Sequence, residues 1–267
     1  AVRFLREEDA ACAQLLSEAM KRAANAGRRL DLAAAFERAA GRLPETPHDW
    51  ITASMLDPYS DAEKYGGTEA NVVMGTIQPV PGRGVVTMDL YIPNYSVFNA
   101  TTSSIAGLLT GDSVGTDYDL GDFRGPTSDP TIGNARVEIV VDFESGLVVA
   151  RQNPSVEESG VVGVETPDVV VQQLTSGDVR IGFDATNPLA PVGGAPFHSV
   201  KGDVAITSEG DQLRLGGTRS NYPAFEAYHH ASDGSVTQLV HDEAAVPFNL
   251  HQLGPLVGLP FSHQLGD

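Results

Sequence analysis

Val137-Glu-Ile-Val-Val-Asp-Phe143, the bend Glu144-Ser-Gly146 and the run Leu147-Val-Val-Ala-Arg-Gln152 make up the stretch that decides the fold. Two segments rich in β-branched residues flank a bend that holds a Gly, the one residue that takes positive φ without penalty. That is the pattern of a β-hairpin. It recurs three times. Residues 169–174 face 179–183 across Ser176-Gly-Asp178, 200–207 face 213–215 across Glu209-Gly-Asp211, and 225–229 face 236–240 across Asp233-Gly234. Upstream, Val85, Thr87, Asp89 and Tyr91 alternate with Val86, Met88, Leu90 and Ile92 until Pro93 ends the strand. Consecutive hairpins without intervening helices predict a mainly β chain, an antiparallel meander closed into a barrel or folded as a two-layer sandwich. A parallel doubly wound sheet is excluded, because it needs a crossover helix between strands.

The N-terminus has a different period. Leu15, Leu16, Ala19, Met20 and Ala23 recur at helical spacing, which predicts a helix over 6–26 stopped by Gly27. Asp31 is placed to cap a second helix over 32–40, ended by Gly41. The domains expected are a helical hairpin over 1–42, a Pro-punctuated linker over 43–70 with one short helix near 50–56, and a β domain over 71–267. Residues 94–134, rich in Ser, Thr, Gly and Asp, read as a long loop insertion. The chain opens Ala1-Val2 without Met, as a processed product or a piece of a longer parent would.

Charge separates the same parts. Residues 1–42 hold eight Lys/Arg against six acids, a net of +2, and the remainder holds nine against 29, a net of −20. An acidic surface of that size repels phosphate, so nucleic acid is excluded as a partner of the β domain. Apolar content of 41% predicts a soluble chain with a real core. No run reaches the roughly 20 apolar residues of a spanning helix. Cys12 is the one cysteine, so no intrachain disulfide exists and packing must hold the fold. Three Lys against fourteen Arg is the usage of a GC-rich, bacterial genome.

Several residues are candidates for chemistry. Gly111-Asp-Ser113-Val-Gly115 fits G-x-S-x-G, but Thr116 to Pro126 contain three Asp, two Gly and a Pro, and cannot form the helix that this turn needs. The same residues resemble the G-D-S-G-G of chymotrypsin-like proteases, whose His and Asp come first; here only His48 precedes Ser113. Asp112, Asp117, Asp119, Asp122 and Asp129 space carboxylates as a Ca²⁺ loop does, although the twelfth position counted from Asp117 is Ser128, where an EF-hand has Glu. Glu226, His229 and His230 share one strand, with Tyr228 and His230 on one face and His229 on the other. Glu138 and Asp142 share a face of another, beside the Glu144 bend.

Arg151-Gln-Asn-Pro-Ser155, Asn187-Pro-Leu-Ala-Pro191, Tyr222-Pro-Ala-Phe-Glu-Ala-Tyr228 and Gly254-Pro-Leu-Val-Gly-Leu-Pro260 resemble a β domain of uncharacterised actinobacterial proteins, over residues 83–267. The resemblance implies no activity. Similar proteins carry helical segments of the kind found in substrates of type VII secretion, and Tyr59-Ser-Asp-Ala-Glu63 fits the Y-x-x-x-[DE] signal, although the Trp-x-Gly turn is missing at Trp50-Ile-Thr52. The resemblance implies an extracytoplasmic or secreted protein. Three functions are compatible with these residues. The first is a non-enzymatic binding or interaction protein that acts through its acidic β domain, presenting residues 94–134 and the strand edges, and that meets a protein partner, or itself, through the helical hairpin. The others are a hydrolase or toxin-like effector using Ser113, Glu226, His229 or His230, and a Ca²⁺-dependent β module.

Overall fold

The computed structural model describes residues 2–61, 63–91, 135–156, 160–189, 199–210, 212–243 and 261–265. Two helices come first, α1 (Val2–Ala40) and α2 (Pro47–Met55). The strands follow as β1 (Asn71–Thr76), β2 (Val85–Tyr91), β3 (Val137–Asp142), β4 (Leu147–Gln152), β5 (Ser155–Val156), β6 (Val162–Gly163), β7 (Asp168–Gln173) and β8 (Val179–Thr186). The last are β9 (Ser199–Glu209), β10 (Gln212–Ser220), β11 (Ala224–His230), β12 (Val236–Asp242) and β13 (Ser262–Gln264).

The strands build a two-layer antiparallel sandwich, not a closed barrel. One sheet has the order β1-β4-β3-β2-β11-β12, the other β13-β10-β9-β8-β7, and β5 with β6 forms a small separate pair. Alternation dictates the core. Val86, Met88 and Leu90 of β2 and Val137, Ile139 and Val141 of β3 point into the space between the sheets, where they meet Val179, Ile181 and Phe183 of β8 and Val204 and Ile206 of β9. The opposite side chains of the six-stranded sheet are also covered: Val85, Val140 and Val149 pack beneath Met55 of α2. β3 and β4 are therefore buried at every position, which explains their near-continuous apolar composition.

All four expected hairpins form, and each bend Gly has positive φ: Gly146 at 75°, Gly177 at 84°, Gly210 at 62° and Gly234 at 86°. Gly146 is the most constrained, since a Cβ there would lie 2.6 Å from the Ile77 carbonyl oxygen.

The helices depart from the sequence reading in two respects. α1 does not stop at Gly27 but runs unbroken to Ala40, and the chain turns at Gly41 with φ of 74°. An interior Gly costs a helix only about 1 kcal/mol, and the contacts that follow it outweigh that. Phe36 is fully buried against Ala53 and Leu147, with Leu32 and Ala39 beside it. Arg29 lies over the Trp50 ring at 4.2 Å, and Arg28 Nε donates to Asp57 Oδ2 at 2.6 Å. The helical pair is therefore α1 with α2. The latter begins at Pro47, earlier than expected, because Thr46 and Asp49 form a reciprocal capping box. Of the tail's two His-Gln-Leu-Gly copies, the second contributes His263 and Gln264 to β13, which pairs with β10. The insertion over 94–134 lies outside the described residues.

Opposite responses are expected at two glycines. Gly27→Ala, in an open helical site, should raise stability by about 0.5–1 kcal/mol. Gly146→Ala should lower it by at least about 1–2 kcal/mol from backbone strain alone. Urea denaturation followed by circular dichroism measures both, and equal shifts of the same sign would contradict this account of the two backbones.

Candidate functional site

The titratable candidates converge on the outer face of the six-stranded sheet. Antiparallel register places Arg151, Glu138, Asp89, Glu226 and His241 side by side across β4, β3, β2, β11 and β12. The next row runs Val149, Val140, Thr87, Tyr228 and Gln238. A register shift between Ala227 and Tyr228 makes this possible, because it returns His241 to the face of Glu226.

Much of this row holds the molecule together. Arg151 Nε and Nη2 donate to Glu138 Oε2 at 2.8 and 2.7 Å, with both side chains under a tenth exposed. Asn153 Nδ2 adds a third bond to the same oxygen at 2.9 Å. The remaining Arg151 nitrogen, Nη1, donates to the Asp57 carbonyl at 2.8 Å and the Ser54 carbonyl at 3.2 Å, satisfying backbone acceptors at the end of α2. Four residues beyond Glu138 on β3, fully buried Asp142 accepts from Thr52 Oγ1 at 2.9 Å, from Ser145 Oγ at 2.5 Å, and from the amides of Glu144 and Ser145. Glu138 and Asp142 thus share a face, as the alternation requires, and each is used as a clamp between helix and sheet. On α2 itself, burial alone would raise the Asp49 carboxyl. The paired Arg42 and the amides of Thr46 and Glu45 outweigh this and hold it well below the usual range.

The histidine candidates fall on opposite faces. His229 Nε2 donates to the Arg83 carbonyl at 2.8 Å, while the His230 ring nitrogen lies 3.3 Å from Thr87 Oγ1. Burial, then the neighbouring charges of His48 and His229, push the His230 imidazolium below its ordinary value. Glu226 is fully buried, and Gln238 Nε2 lies 3.2 Å from both Tyr228 Oη and His241 Nδ1. Sequence reading missed Asp89 and His48 as neighbours of this set, because only the pairing of β2 with β11 and the docking of α2 bring them in; Gln238 and His241 belong to the β11–β12 hairpin, and the register shift brings His241 level with Glu226. Among the described residues, no three of His, Cys, Asp and Glu converge as a metal-binding set. Ser113, Asp112, Asp117, Asp119, Asp122 and Asp129 lie outside the described residues. Tyr59 is exposed after α2, where its phenol donates to Glu69 at 2.5 Å.

A second candidate surface is α1 itself. Beyond the anchors at Arg28 and Arg29, every helical residue whose burial is described is exposed, Met20 at 64% and Leu30 beside the anchor at 72%. None of the described helices is long and apolar enough to cross a membrane. Comparison with protein-family models, curated proteins and solved structures gives no match.

Two outcomes are expected from these clamps. Arg151→Met strands a buried carboxylate and should cost about 3–5 kcal/mol, whereas Arg151→Met with Glu138→Leu should cost less than the summed single changes. For His230, the folded state binds its proton more weakly than the unfolded chain does, so the unfolded state carries more protons in this window. Stability should therefore be full above pH 6.5, the ordinary value, and fall as pH drops through the lowered one. His230→Gln should flatten that part of the stability–pH curve, and an unchanged slope would assign it to other groups.

Proposed function

We propose that the chain is a non-enzymatic interaction protein whose α1 arm pairs antiparallel with α1 of a second copy. The observation that carries this reading is the exposure of α1 ahead of its anchor, where Gln14, Ser17, Ala19, Met20 and residues 22–27 all face solvent. A helix of 39 residues measures roughly 58 Å, and the part before Gly27 roughly 40 Å. A helical stretch with so little packing gains only marginal stability from propensity, and a partner surface would complete it.

The sequence of the arm fits a helical partner. Leu16, Ala19, Ala23, Ala26 and Leu30 follow one another at alternating spacings of three and four, the seam of a two-helix contact, with small residues that permit close approach. Acids cluster at Glu7, Glu8 and Asp9, and bases at Lys21, Arg22, Arg28 and Arg29, so an antiparallel mate sets opposite charges together. Antiparallel pairing also leaves the two acidic bodies at opposite ends of the arms, roughly 40 Å apart, where salt at cellular strength screens their repulsion. The catalytic alternative lacks such support: Glu138 and Asp142 are spent on docking α2, and His229 on a backbone carbonyl.

Sedimentation equilibrium of the full chain tests the proposal. A dimer is expected, and Ala23→Glu with Leu30→Glu should convert it to monomer while the melting temperature of the β sandwich stays unchanged. A chain that remains monomeric at roughly 100 μM, where a contact of about −5.5 kcal/mol would be half-formed, overturns it.

A further inference from the structure

No described helix or strand packs on the outer face of the five-stranded sheet, and across that face runs a solvent-open groove of about 430 Å³. It crosses β7 to β10 and ends at Phe261, which is 61% exposed. Its walls come from the alternation that fills the core on the other side: Asp168, Asp184, Lys201 and Ser220 project outward, and Gly182 adds no side chain between them.

We propose that this groove binds a neutral saccharide chain. Each part of the lining contributes to the reading. A sugar ring carries vicinal hydroxyls that both donate and accept, together with a C–H face that prefers an apolar or aromatic surface. The groove sets acceptors, Asp168 and Asp184, beside the donor Lys201, and places exposed Phe261 at its rim. Lys201 Nζ holds Asp184 Oδ2 at 2.8 Å, and this pair stays partly exposed to the groove.

Charge narrows the class further. Three acids line the groove, Asp203 with the two already named, and the chain as a whole carries −18, which disfavours an anion. Lys201 pairs with Asp184 and Arg180 with Asp203, which leaves little net attraction for a cation. A neutral polyhydroxylated ligand satisfies both conditions. An open groove also lets a polymer extend past its ends, whereas an enclosed pocket would admit only a single ring. The site is independent of the α1 pairing, since it lies on the other sheet.

Gly182 supplies a clean test. A Cβ added there meets no atom within 4 Å, and its backbone is outside the positive-φ region, so Gly182→Leu fills the groove without straining β8. Isothermal titration of the full chain against soluble cello-, xylo-, manno-, malto- and chito-hexaoses, at up to about 10 mM, should give saturable binding to at least one. Gly182→Leu should weaken that binding tenfold or more, and Phe261→Ala should weaken it severalfold, both with unchanged melting temperature. Three outcomes would overturn the proposal: no saccharide binds, Gly182→Leu binds as tightly as the parent chain, or a Lys/Arg peptide displaces the sugar at lower concentration.

Discussion

Arg151 makes its hydrogen bonds in two directions, and the rest of the N-terminal half follows from where they go. Its Nε and Nη2 neutralise Glu138 on the neighbouring strand, while Nη1 reaches the carbonyls of Ser54 and Asp57, where α2 runs out of internal partners. A helix end normally finds capping groups within a few residues of sequence or in water. Here a strand nearly a hundred residues away supplies the donor. The position of α2 is thereby fixed against β3 and β4, and α1 is fixed in turn, since Trp50 and Asp57 are what Arg29 and Arg28 hold. Asp142 contributes from the same hairpin: it shapes the Glu144–Ser145 bend with one oxygen and anchors Thr52 with the other.

Covering one sheet on both faces has a consequence for where function can lie. Glu138, Asp142 and Glu226 are carboxylates without solvent, and a carboxylate there persists only when its lone pairs are used. The bonds made by Glu138 and Asp142 to α2 and to the β3–β4 turn are that use. The five-stranded sheet is different. β8 alternates between buried and partly exposed positions, and β7 shows Asp168, Val170 and Gln172 to solvent. Its outer side chains are constrained by one another, as in the Arg180–Asp203 and Lys201–Asp184 pairs, and not by a covering helix. Such groups are available to a ligand in a way that those beneath α2 are not.

Local pattern carried the strands and their turns, because a hairpin needs only its own residues: two β-rich runs and a Gly at positive φ. The division into two sheets was not legible. β2 pairs with β11 and β1 with β4 through register between segments that have no local signal for one another, and the core that selects those pairings is shared by all of them. The candidate site was half legible for the same reason. Alternation placed Tyr228 and His230 together and His229 opposite. The shift near Tyr228 that turned His241 toward Glu226 arises from the pairing, and no residue there marks it. At the N-terminus the signals were present but competed. Gly27 reads as a stop only if the residues after it have nothing to bury, and Phe36 has Leu147. Thr46-Pro-His-Asp49 is a capping box whose Asp replaces the more usual Glu.

The charge asymmetry then has a structural meaning. Among the described residues the open sandwich has four edge strands, β1, β12, β13 and β7, and an edge strand is a template for pairing with another chain. β7 is the most exposed to this hazard: Val169-Val-Val171 has no Lys, Pro or bulge to blunt it, with Val170 at 59% and Leu174 just beyond at 57% exposed. One end of this edge is tied inward by the reciprocal bonds between Gln173 and the Gln78 backbone, at 2.6 and 2.9 Å. What guards the remainder is repulsion. With −20 confined to the chain beyond residue 42, two copies approaching edge to edge bring their acidic surfaces within a Debye length, where screening fails. That penalty falls along the body and not along the slightly basic arm, which is where the proposed pairing of α1 places the contact between copies.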